Sequence, residues 1–469
     1  MGLKINTLNL KDISGHNILR NDFKYFQWLT DFSKKYKNTK KLKYFIDYSY
    51  KGYAFEAKDF ITEGKIVVLK GVNFQEDFSI DFDSVEYLPN EFYNNHKFEK
   101  FKVKQNEIII SLVGSIGKIA LIRNNEKMLL NQNNIALKLK KEYNPLVYTY
   151  ILSIIIKEMV EDLYKVSGYS FLRVEDLMSL DIPLLDEDEQ NYLLNLIQKY
   201  ESSILDMKKN CKSVKNLINE VFTKEFSIDF QSLEKLETEK YATTNLHSLS
   251  FNNSNLRNSY RWNKVVLLQE KMFSNCDCVE KLGRYIITTQ NGWSPTCDDN
   301  ATNNIVLGID SINLNAYMTF NTLKYSDETK ENIDNYFIKD GDLFVSRGNT
   351  PDLVSLASIA KLPNKNNDYI FSDLMIRINL NNDINKEYLA YIIGRLYFKY
   401  VSKGKNQSMV KISSKELNDF LLPVPDKVRQ VELVNLIKTE IEKISITKQQ
   451  ISNKIIEIKN IIIDKIIDI

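Results

Sequence analysis

Cysteine and histidine are scarce in this chain of 469 residues, which contains four cysteines and three histidines. No C-x-x-C pair occurs, and the histidines lie far in sequence from the cysteines, which are Cys211, Cys276, Cys278 and Cys297. These spacings argue against a structural zinc site and against a disulfide framework. A protein with so few thiols and no paired pattern fits a reducing compartment.

An excess of one charge and long apolar runs are missing as well. Lys and Arg number 63 against 61 for Asp and Glu, so the chain lacks the overall basic bias typical of nucleic-acid binding, although local basic faces remain open. No window approaches the roughly 18 uncharged apolar residues of a membrane span. Residues 1–13 lack the apolar run of a signal peptide. We therefore expect a cytoplasmic protein.

Recognisable catalytic motifs are also lacking. The stretch SLVGSIGKIALI, from Ser111 to Ile122, resembles a phosphate-binding loop, whose pattern is G-x-x-x-x-G-K-[ST]. Counting back from Gly117, the first glycine position is Leu112, and the residue after Lys118 cannot bind a metal ion. Neither an H-E-x-x-H sequence nor an Asn-Pro-Pro-aromatic sequence occurs. Any chemistry is therefore expected to come from partners.

What the chain does contain is a long internal repeat. KQNEIIISLVGSIGKIALI, at 104–122, corresponds to KDGDLFVSRGNTPDLVSLASIAKL, at 339–362. Further matches in the same order pair 19–23 with 256–260, 41–42 with 281–282, Gly52 with Gly292, 67–74 with 305–314, Pro183 with Pro423, and Gln190 with Gln430. Such ordered matches at separations of 235 to 240 residues predict a tandem duplication.

Each copy has the same predicted order of elements. Short β-type runs come first (KIVVL, EIIISL and NIALKL; then NIVLGI, DLFVSR and DLMIRINL), separated by Gly, Asn and Asp turns. A helical segment follows, at 145–163 and at 386–401. A proline seven residues before a glutamine then introduces a long helix. The sequence predicts a mixed α+β fold with two similar globular domains.

Apolar residues at heptad-like spacing follow both Gln190 and Gln430. The predicted seam consists of Leu193, Ile197, Ile204, Met207 and Ile218 in the first copy, and Ile437, Ile441, Ile444, Ile451, Ile455 and Ile458 in the second. A helix over 190–225 would be roughly 54 Å long at about 1.5 Å per residue. We expect the two helices to form an antiparallel coiled coil with an internal pseudo-two-fold repeat. The alternative is that each helix packs on its own globular domain.

Two similar domains held apart by helices suit a ligand with two similar sites along a line. Duplex DNA is such a ligand, because its grooves repeat about every 34 to 36 Å. The two copies differ in sequence, so the two DNA half-sites could differ as well.

Several features together resemble the specificity subunit of type I restriction-modification enzymes. They are the alternation of variable and helical regions, the stretches IIISLVGSIGKIAL and DLFVSRGNTPDLVSLASIA at equivalent places, and the proline-to-glutamine entries at 183–190 and 423–430. The resemblance covers nearly the whole chain. It implies target recognition domains at 1–188 and 229–425 and conserved helical spacers at 189–228 and 426–469. Each domain would recognise one half of a bipartite, asymmetric DNA sequence.

The resemblance also implies partners and cofactors. The helices would dock two methyltransferase subunits, which methylate adenine in double-stranded DNA with S-adenosylmethionine, and two restriction subunits that use ATP and magnesium would join them. This chain would be non-catalytic, would bind no cofactor or metal and would not contact a membrane. The alternatives are a coiled-coil protein-interaction scaffold, a specificity subunit of a methyltransferase-only or type IIB-like system, and a self-sufficient methyltransferase.

Contacts to bases need bidentate Arg, Lys, Asn or Gln side chains, and contacts to phosphates need Lys, Arg or Ser. Polar loops at equivalent places in the two copies supply such residues. The predicted DNA contacts are Lys51, Tyr53, Lys58, Ser115, Lys118, Tyr169, Ser170 and Arg173 in the first copy, and Gln290, Asn291, Trp293, Arg347, Asn349, Thr350, Lys403, Lys405, Asn406, Gln407, Ser408 and Lys411 in the second.

Each of these predictions has a purely structural alternative. Gly114 and Gly117 could serve only a tight turn between two strands. Lysines such as Lys118 could be solvated surface residues, and Tyr53 and Trp293 could be core aromatics.

Overall fold

The computed structural model describes residues 28, 31–32, 34–61, 64–82, 85–161, 171–228, 271–298, 303–349, 353–396 and 410–468. The chain divides into two compact units, the first comprising 1–210 with 448–469 and the second 211–447. Each unit contains both helices and sheets, so the predicted mixed α+β class is confirmed.

The first unit contains nine described strands and several helices. The strands are β1 (Thr39–Lys41), β2 (Ile46–Lys51), β3 (Ile66–Leu69), β4 (Glu86–Leu88), β5 (Glu107–Ser111), β6 (Ile119–Leu121), β7 (Met128–Leu130), β8 (Asn134–Leu139) and β9 (Asp181–Pro183). The helices are α1 (Leu42–Phe45), α2 (Asn90–Asn94), α3 (Pro145–Met159), α4 (Val174–Met178) and α5 (Glu187–Lys209), with 3-10 turns at Ala57–Asp59, Gly71–Asn73 and His96–Phe101.

Two sheets and helix α3 form the core of this unit. One sheet has the order β2-β8-β5-β6, and the other has the order β4-β3-β7. Along β5, Ile108 and Ile110 belong to the apolar cluster that contains α3, whereas Ile109 belongs to the cluster of the three-stranded sheet. Strand β5 is therefore buried on both faces, which explains why its sequence is continuously apolar rather than alternating.

The second unit has the same plan. Its strands are β10 (Val279–Lys281), β11 (Ile286–Asn291), β12 (Asn304–Leu307), β13 (Lys324–Ser326), β14 (Leu343–Ser346), β15 (Gly348–Asn349), β16 (Ala357–Ile359), β17 (Tyr369–Phe371), β18 (Met375–Leu380), β19 (Val410–Lys411) and β20 (Leu421–Pro423). Its helices are α6 (Val214–Phe226), α7 (Lys386–Leu396) and α8 (Ser414–Asn418), followed by α9 (Lys427–Asp468), with 3-10 turns at Leu282–Arg284, Ile309–Ser311 and Ile333–Tyr336.

Strand order and register repeat between the units. The order β11-β18-β14-β16 matches β2-β8-β5-β6, and β13-β12-β17 matches β4-β3-β7, including one parallel pair in each. Antiparallel pairing joins Thr39 with Pro183 in the first unit and Val279 with Pro423 in the second. The same strand order therefore occurs in both units, as the sequence repeat predicts. The matched segments 19–23 and 256–260 lie outside the described residues.

A buried glutamine near the start of each long helix, α5 or α9, links that helix to the start of an earlier one, α3 or α7. The Gln190 Oε1 atom accepts a hydrogen bond from the Asn144 backbone N–H at 2.8 Å, and Nε2 donates to the carbonyls of Glu142 and Leu185. In the second unit, Gln430 accepts from the Asn385 N–H at 2.7 Å and donates to the Pro425 carbonyl.

Asn144 and Asn385 occupy equivalent positions at the helix starts. The Asn144 side chain caps α3 by accepting from the N–H groups of Leu146 and Val147, and the Asn385 side chain accepts from the first N–H groups of α7. Such caps satisfy donors that a helix start leaves unpaired. The glutamine thus fixes the capped helix α3 to α5 in the first unit and α7 to α9 in the second.

The continuous helix expected over 190–225 is wrong. Helix α5 ends at Lys209, and α6 begins at Val214 after a break that contains Cys211. The Ser213 hydroxyl accepts from the Asn216 N–H at 3.1 Å and caps the new helix. Serine competes for backbone hydrogen bonds and favours such caps over helix interiors, so the rod of roughly 54 Å does not form as one helix.

The predicted seam residues are all buried or half-buried. In the first unit, Leu193 and Ile197 of α5 share a cluster with Ile458 of α9, and Ile204 packs with Ile451 and Ile455. In the second unit, Ile218 of α6 and Ile437 of α9 lie in the core cluster with the main sheet. The remaining members are Met207, Ile441 and Ile444. None of the described helices is long and apolar enough to cross a membrane.

Replacing Gln190 by alanine should destabilise the protein. The change leaves the Asn144 N–H without its side-chain acceptor in a buried place, which typically costs about 1 to 3 kcal/mol. Chemical denaturation of the full chain should therefore show a lower midpoint. Gln198→Ala, at an exposed position of the same helix, is the matched control and should leave the midpoint nearly unchanged. Equal midpoints for the two variants would contradict the stabilising role of Gln190.

Lys459 of α9 should make the stability of the protein depend on pH. Burial, together with the neighbouring Lys157, lowers the pKa of its ammonium group from 10.5 to about 8, while Glu76 acts in the opposite direction. Between pH 8 and 10.5 the unfolded chain binds more protons at this residue than the folded chain, so this residue makes stability rise with pH across that window.

We therefore expect Lys459→Met to be more stable than the parent at pH 7, and this advantage should shrink as pH rises above 8. The measurement is the difference in denaturation midpoint between the two proteins at several pH values. Lys448→Met, at an exposed lysine of the same helix, is the matched control. A Lys459→Met advantage that stays constant with pH would rule out the buried charge as its cause.

Candidate nucleic-acid interface

A glycine followed by an aromatic residue ends the first long strand of each unit. The N–H of Tyr53 donates to the Leu130 carbonyl at 2.8 Å, and the N–H of Trp293 donates to the Phe371 carbonyl at 3.0 Å. A Cβ atom on Gly52 would lie 2.2 Å from the Asn131 carbonyl oxygen, and one on Gly292 would lie 2.1 Å from that of Ser372. Only glycine allows this approach, so both aromatic residues are held in equivalent places.

Tyr53 and Trp293 are half-buried, and a lysine ammonium group lies near each ring. The Tyr53 ring packs edge-on against Phe98 at 5.1 Å between centroids, and the Lys97 ammonium lies 5.1 Å from its centroid. The Trp293 ring lies 5.9 Å from that of Tyr336, with the Lys330 ammonium 5.5 Å from its centroid. Each ring therefore contacts both another aromatic ring and a lysine ammonium group.

Lys97 and Lys330 were not among the residues predicted from the sequence. A usable signal exists for the first, because HKFEKFK at 96–102 alternates basic and aromatic residues. The second has no local signal, since its aromatic partner lies 37 residues earlier in the chain.

Lys51 and Lys58 differ in their surroundings. Lys51 is exposed at the end of β2. The Lys58 ammonium lies 2.6 Å from the Glu56 carboxylate, and both side chains are mostly exposed. That carboxylate already neutralises the lysine locally. Contact of either residue with DNA remains a prediction.

The stretch GSIGK forms the turn between β5 and β6. Gly114 and Gly117 have φ angles of +76° and +77°, a region that favours glycine. The Gly117 N–H donates to the Ser111 carbonyl at 2.9 Å, and the Lys118 N–H donates to the Ser115 carbonyl at 3.2 Å. The tight-turn interpretation of the glycines is confirmed. The Lys118 side chain is exposed, and Ser115 is half-buried.

The equivalent stretch of the second unit places Arg347 at its start. The Arg347 N–H donates to the Leu374 carbonyl at 2.7 Å, and Nη1 donates to the Asp373 carbonyl at 3.2 Å. The next residues, in β15, pair with β19, so Asn349 lies opposite Val410 and Gly348 lies opposite Lys411.

The structure therefore brings together two of the predicted DNA-contacting stretches in each unit. In the first unit, Val113 pairs with Phe171, and the Leu172 N–H donates to the Leu112 carbonyl at 2.7 Å. In the second, the corresponding bond runs from Ile412 to Arg347 at 2.8 Å. The glycine-turn stretch and the stretch before the next short helix are thus neighbours, and the exposed Arg173 and Lys411 lie on the latter stretch.

Gln290 is engaged inside its own unit. Its Nε2 atom donates to the Asn335 carbonyl at 2.8 Å, and its Oε1 atom accepts from Arg377, which also pairs with Asp342 at 3.1 Å. Asn291, the next residue, is exposed at the end of β11.

The first unit has a related arrangement at the equivalent strand position. There the hydroxyl of Tyr50 donates to Glu107 at 2.7 Å, and burial raises the pKa of that hydroxyl, with a further contribution from the Glu107 carboxylate. The side chain at this position thus bonds Glu107 directly in the first unit, whereas in the second it bonds Arg377, the ion-pair partner of Asp342.

Eight predicted contact residues lie outside the described residues: Tyr169, Ser170, Thr350, Lys403, Lys405, Asn406, Gln407 and Ser408. Their contact with DNA stays a prediction.

Residues 283–457 match the family model of the type I restriction modification DNA specificity domain. Similar solved structures include the Type-I restriction-modification system S subunit from M. genitalium, with 15% identity, a TM-score of 0.33 and coverage of 92% of this chain and 95% of that one. The HsdS subunit from Thermoanaerobacter tengcongensis has 14% identity, a TM-score of 0.29 and coverage of 92% and 96%.

A structure described as the basis of complex assembly and conformational transition of the type I R-M system has 12% identity, a TM-score of 0.36 and coverage of 92% and 97%. No curated protein matches this chain. The family match thus confirms, over residues 283–457, the resemblance to the specificity subunit of type I restriction-modification enzymes.

Proposed function

We propose that this chain is the DNA sequence-recognition subunit of a type I restriction-modification complex. Its two target recognition domains, at 1–188 and 229–425, each bind one half of a bipartite, asymmetric sequence. The chain itself is non-catalytic and determines which DNA sequence the complex binds.

The repetition of one architecture in both units carries this proposal. The family match covers only the second copy, from residue 283 to 457. The first unit has the same strand order, the same junction register and the same glutamine-to-asparagine hydrogen bond. Two copies of a DNA specificity domain in one chain suit a DNA site with two parts.

The two copies differ in the sequence and length of a turn, which is where residues that recognise bases are expected. The turn GSIGK of the first copy corresponds to a longer stretch after Arg347 in the second, whereas the flanking strands β5 and β14 keep their pairing. Bases are distinguished by side chains that reach the groove edges, and phosphates are contacted without regard to sequence. A constant frame with variable turns therefore permits two different half-sites.

The long helices are the proposed docking sites for partners. Antiparallel order is supported by the contacts of α5, because Leu193 and Ile197 pack with the end of α9, whereas Ile204 packs with Ile451 and Ile455. The same helices expose Leu205 and Ile456, each about half accessible. Apolar side chains exposed along helices are suited to bind other subunits.

We propose that two methyltransferase subunits dock on these helices and that two restriction subunits join them. The methyltransferases would bring S-adenosylmethionine, and the restriction subunits would bring ATP and magnesium. This division fits a chain whose sequence lacks the Asn-Pro-Pro-aromatic and complete phosphate-loop motifs.

Co-expression of the chain with the methyltransferase encoded beside it should create a methylated DNA sequence. We expect genome-wide mapping of methyladenine to find one sequence split into two unequal halves by a spacer of fixed length. Expression of the methyltransferase alone is the control and should leave that sequence unmethylated. An unmodified genome, together with no DNA affinity of the assembled complex, would exclude the proposed function in favour of a protein-binding scaffold.

Exchanging residues 1–185 for the corresponding segment of another specificity subunit should change one half of the methylated sequence only. The physical reason is that each unit has its own complete core and its own set of turns. The measurement is again the methyladenine map. Simultaneous change of both halves would contradict independent recognition by the two domains.

A further inference from the structure

We infer that Lys97 and Lys330 are matched DNA phosphate contacts, one in each unit, held in place by the aromatic residue that follows the strand-ending glycine. This inference rests on the proposed function and names two residues that anchor the duplex without selecting its sequence.

The two lysines occupy corresponding segments. Each comes from the segment that leads from the edge strand of the three-stranded sheet, β4 or β13, to the next strand of the four-stranded sheet, β5 or β14. Each ammonium lies over the ring at the same position, Tyr53 or its equivalent Trp293. Both units therefore contain a lysine–aromatic pair at the same place, although the residues differ. This argues that the pair has the same function in each unit.

Aromatic contacts fix the position of both ammonium groups. The Lys97 ammonium also donates to the Tyr53 hydroxyl at 3.1 Å and lies 5.4 Å from the centroid of the Phe98 ring. The Lys330 ammonium donates to the Tyr336 hydroxyl at 3.1 Å and lies 4.7 Å from that ring centroid. Cation–π attraction holds a lysine without cancelling its charge.

Two lysines of the first unit are neutralised by carboxylates, but Lys97 and Lys330 are not. Lys58 pairs with Glu56 at 2.6 Å, and Lys102 pairs with Glu99 at 2.5 Å. Within the described part of the chain, neither Lys97 nor Lys330 has a carboxylate at ion-pair distance.

Two nearby carboxylates, those of Glu99 and Glu328, have other partners. Glu99 is engaged by Lys102, and the Glu328 carboxylate accepts from the Thr296 N–H at 2.6 Å. The positive charges of Lys97 and Lys330 are therefore left for an external anion.

The phosphate backbone of duplex DNA is the anion that fits two such cations in two DNA specificity units. A lysine acts on phosphate as a point charge and does not distinguish bases. A phosphate contact can thus be the same in both units even though the half-sites differ. This explains why the lysine–aromatic pair is retained while the recognition turns vary.

The test measures how DNA affinity depends on salt. The full chain, co-purified with its methyltransferase, is titrated with a fluorescent duplex of arbitrary sequence at several salt concentrations. We expect Lys97→Ala and Lys330→Ala each to weaken binding several-fold at low salt. Each change should also reduce the slope of log affinity against log salt by about one, and the double variant by about two.

Controls separate charge from folding. Lys97→Arg and Lys330→Arg keep the positive charge and should retain the slope. Lys34→Ala and Lys427→Ala remove the same charge from exposed lysines on other elements and should leave the slope unchanged. Methyladenine mapping should show the same sequence for every variant, because a phosphate contact carries no base preference.

The outcomes are distinct. If the parent complex binds DNA and the Lys97→Ala and Lys330→Ala variants keep its slope, the inference is overturned and the proposed function stands. A lower denaturation midpoint with an unchanged slope likewise assigns the lysines a structural role and overturns it. If the parent complex shows no affinity for the duplex, the proposed function fails as well.

Discussion

The buried amide of Gln190, and of Gln430 in the second unit, is the interaction on which the rest of the structure depends. It occupies the first turn of α5 or α9 and bonds the backbone at the start of α3 or α7. The hydroxyl of Tyr388 adds a bond to the Pro423 carbonyl at 2.7 Å, and that of Tyr148 lies 3.5 Å from the Pro183 carbonyl. Because these groups are buried, an unmade bond would be costly, and the helix direction is fixed relative to its own unit.

In each unit, the buried strands are strongly constrained in sequence, whereas the turns that connect them are less constrained. The central strands β5 and β14 are buried throughout, so their apolar residues are constrained by packing on both faces. The turns that follow them are constrained mainly by backbone geometry at glycine and by short hydrogen bonds. Polar side chains on such turns can change without disturbing the core, which suits domains that recognise different sequences.

Much of the fold could be predicted from the sequence because its signals are local or repeat. The apolar runs located strands β3, β5 and β8 to within one residue, and the repeat indicated equivalent elements in the second unit. The break between α5 and α6 was missed because the apolar spacing continues through it. The signal that could have located it is Ser213, a residue type favoured at helix starts.

The candidate site was harder to predict, because its contacts join residues distant in sequence. Gln290 looked like a free amide for base contact, yet it bonds Arg377, 87 residues later, and the Asn335 carbonyl. Lys330 gained its place over Trp293 only through the folding of the sheet between them. Composition and periodicity describe which residues are polar, whereas only the tertiary structure decides which polar groups remain unpaired.

The short ladders β1–β9 and β10–β20 have a consequence for how such a chain can evolve. Thr39 to Lys41 lies directly against Asp181 to Pro183, and Val279 to Lys281 lies against Leu421 to Pro423. The polypeptide between each pair of strands therefore begins and ends at one place, where backbone pairing joins the strands and, in the first unit, Lys41 also forms an ion pair with Asp181 at 2.7 Å. A segment of different length and sequence could replace the residues between these strands by recombination without altering the strand pairing, so each unit could be exchanged as a cassette.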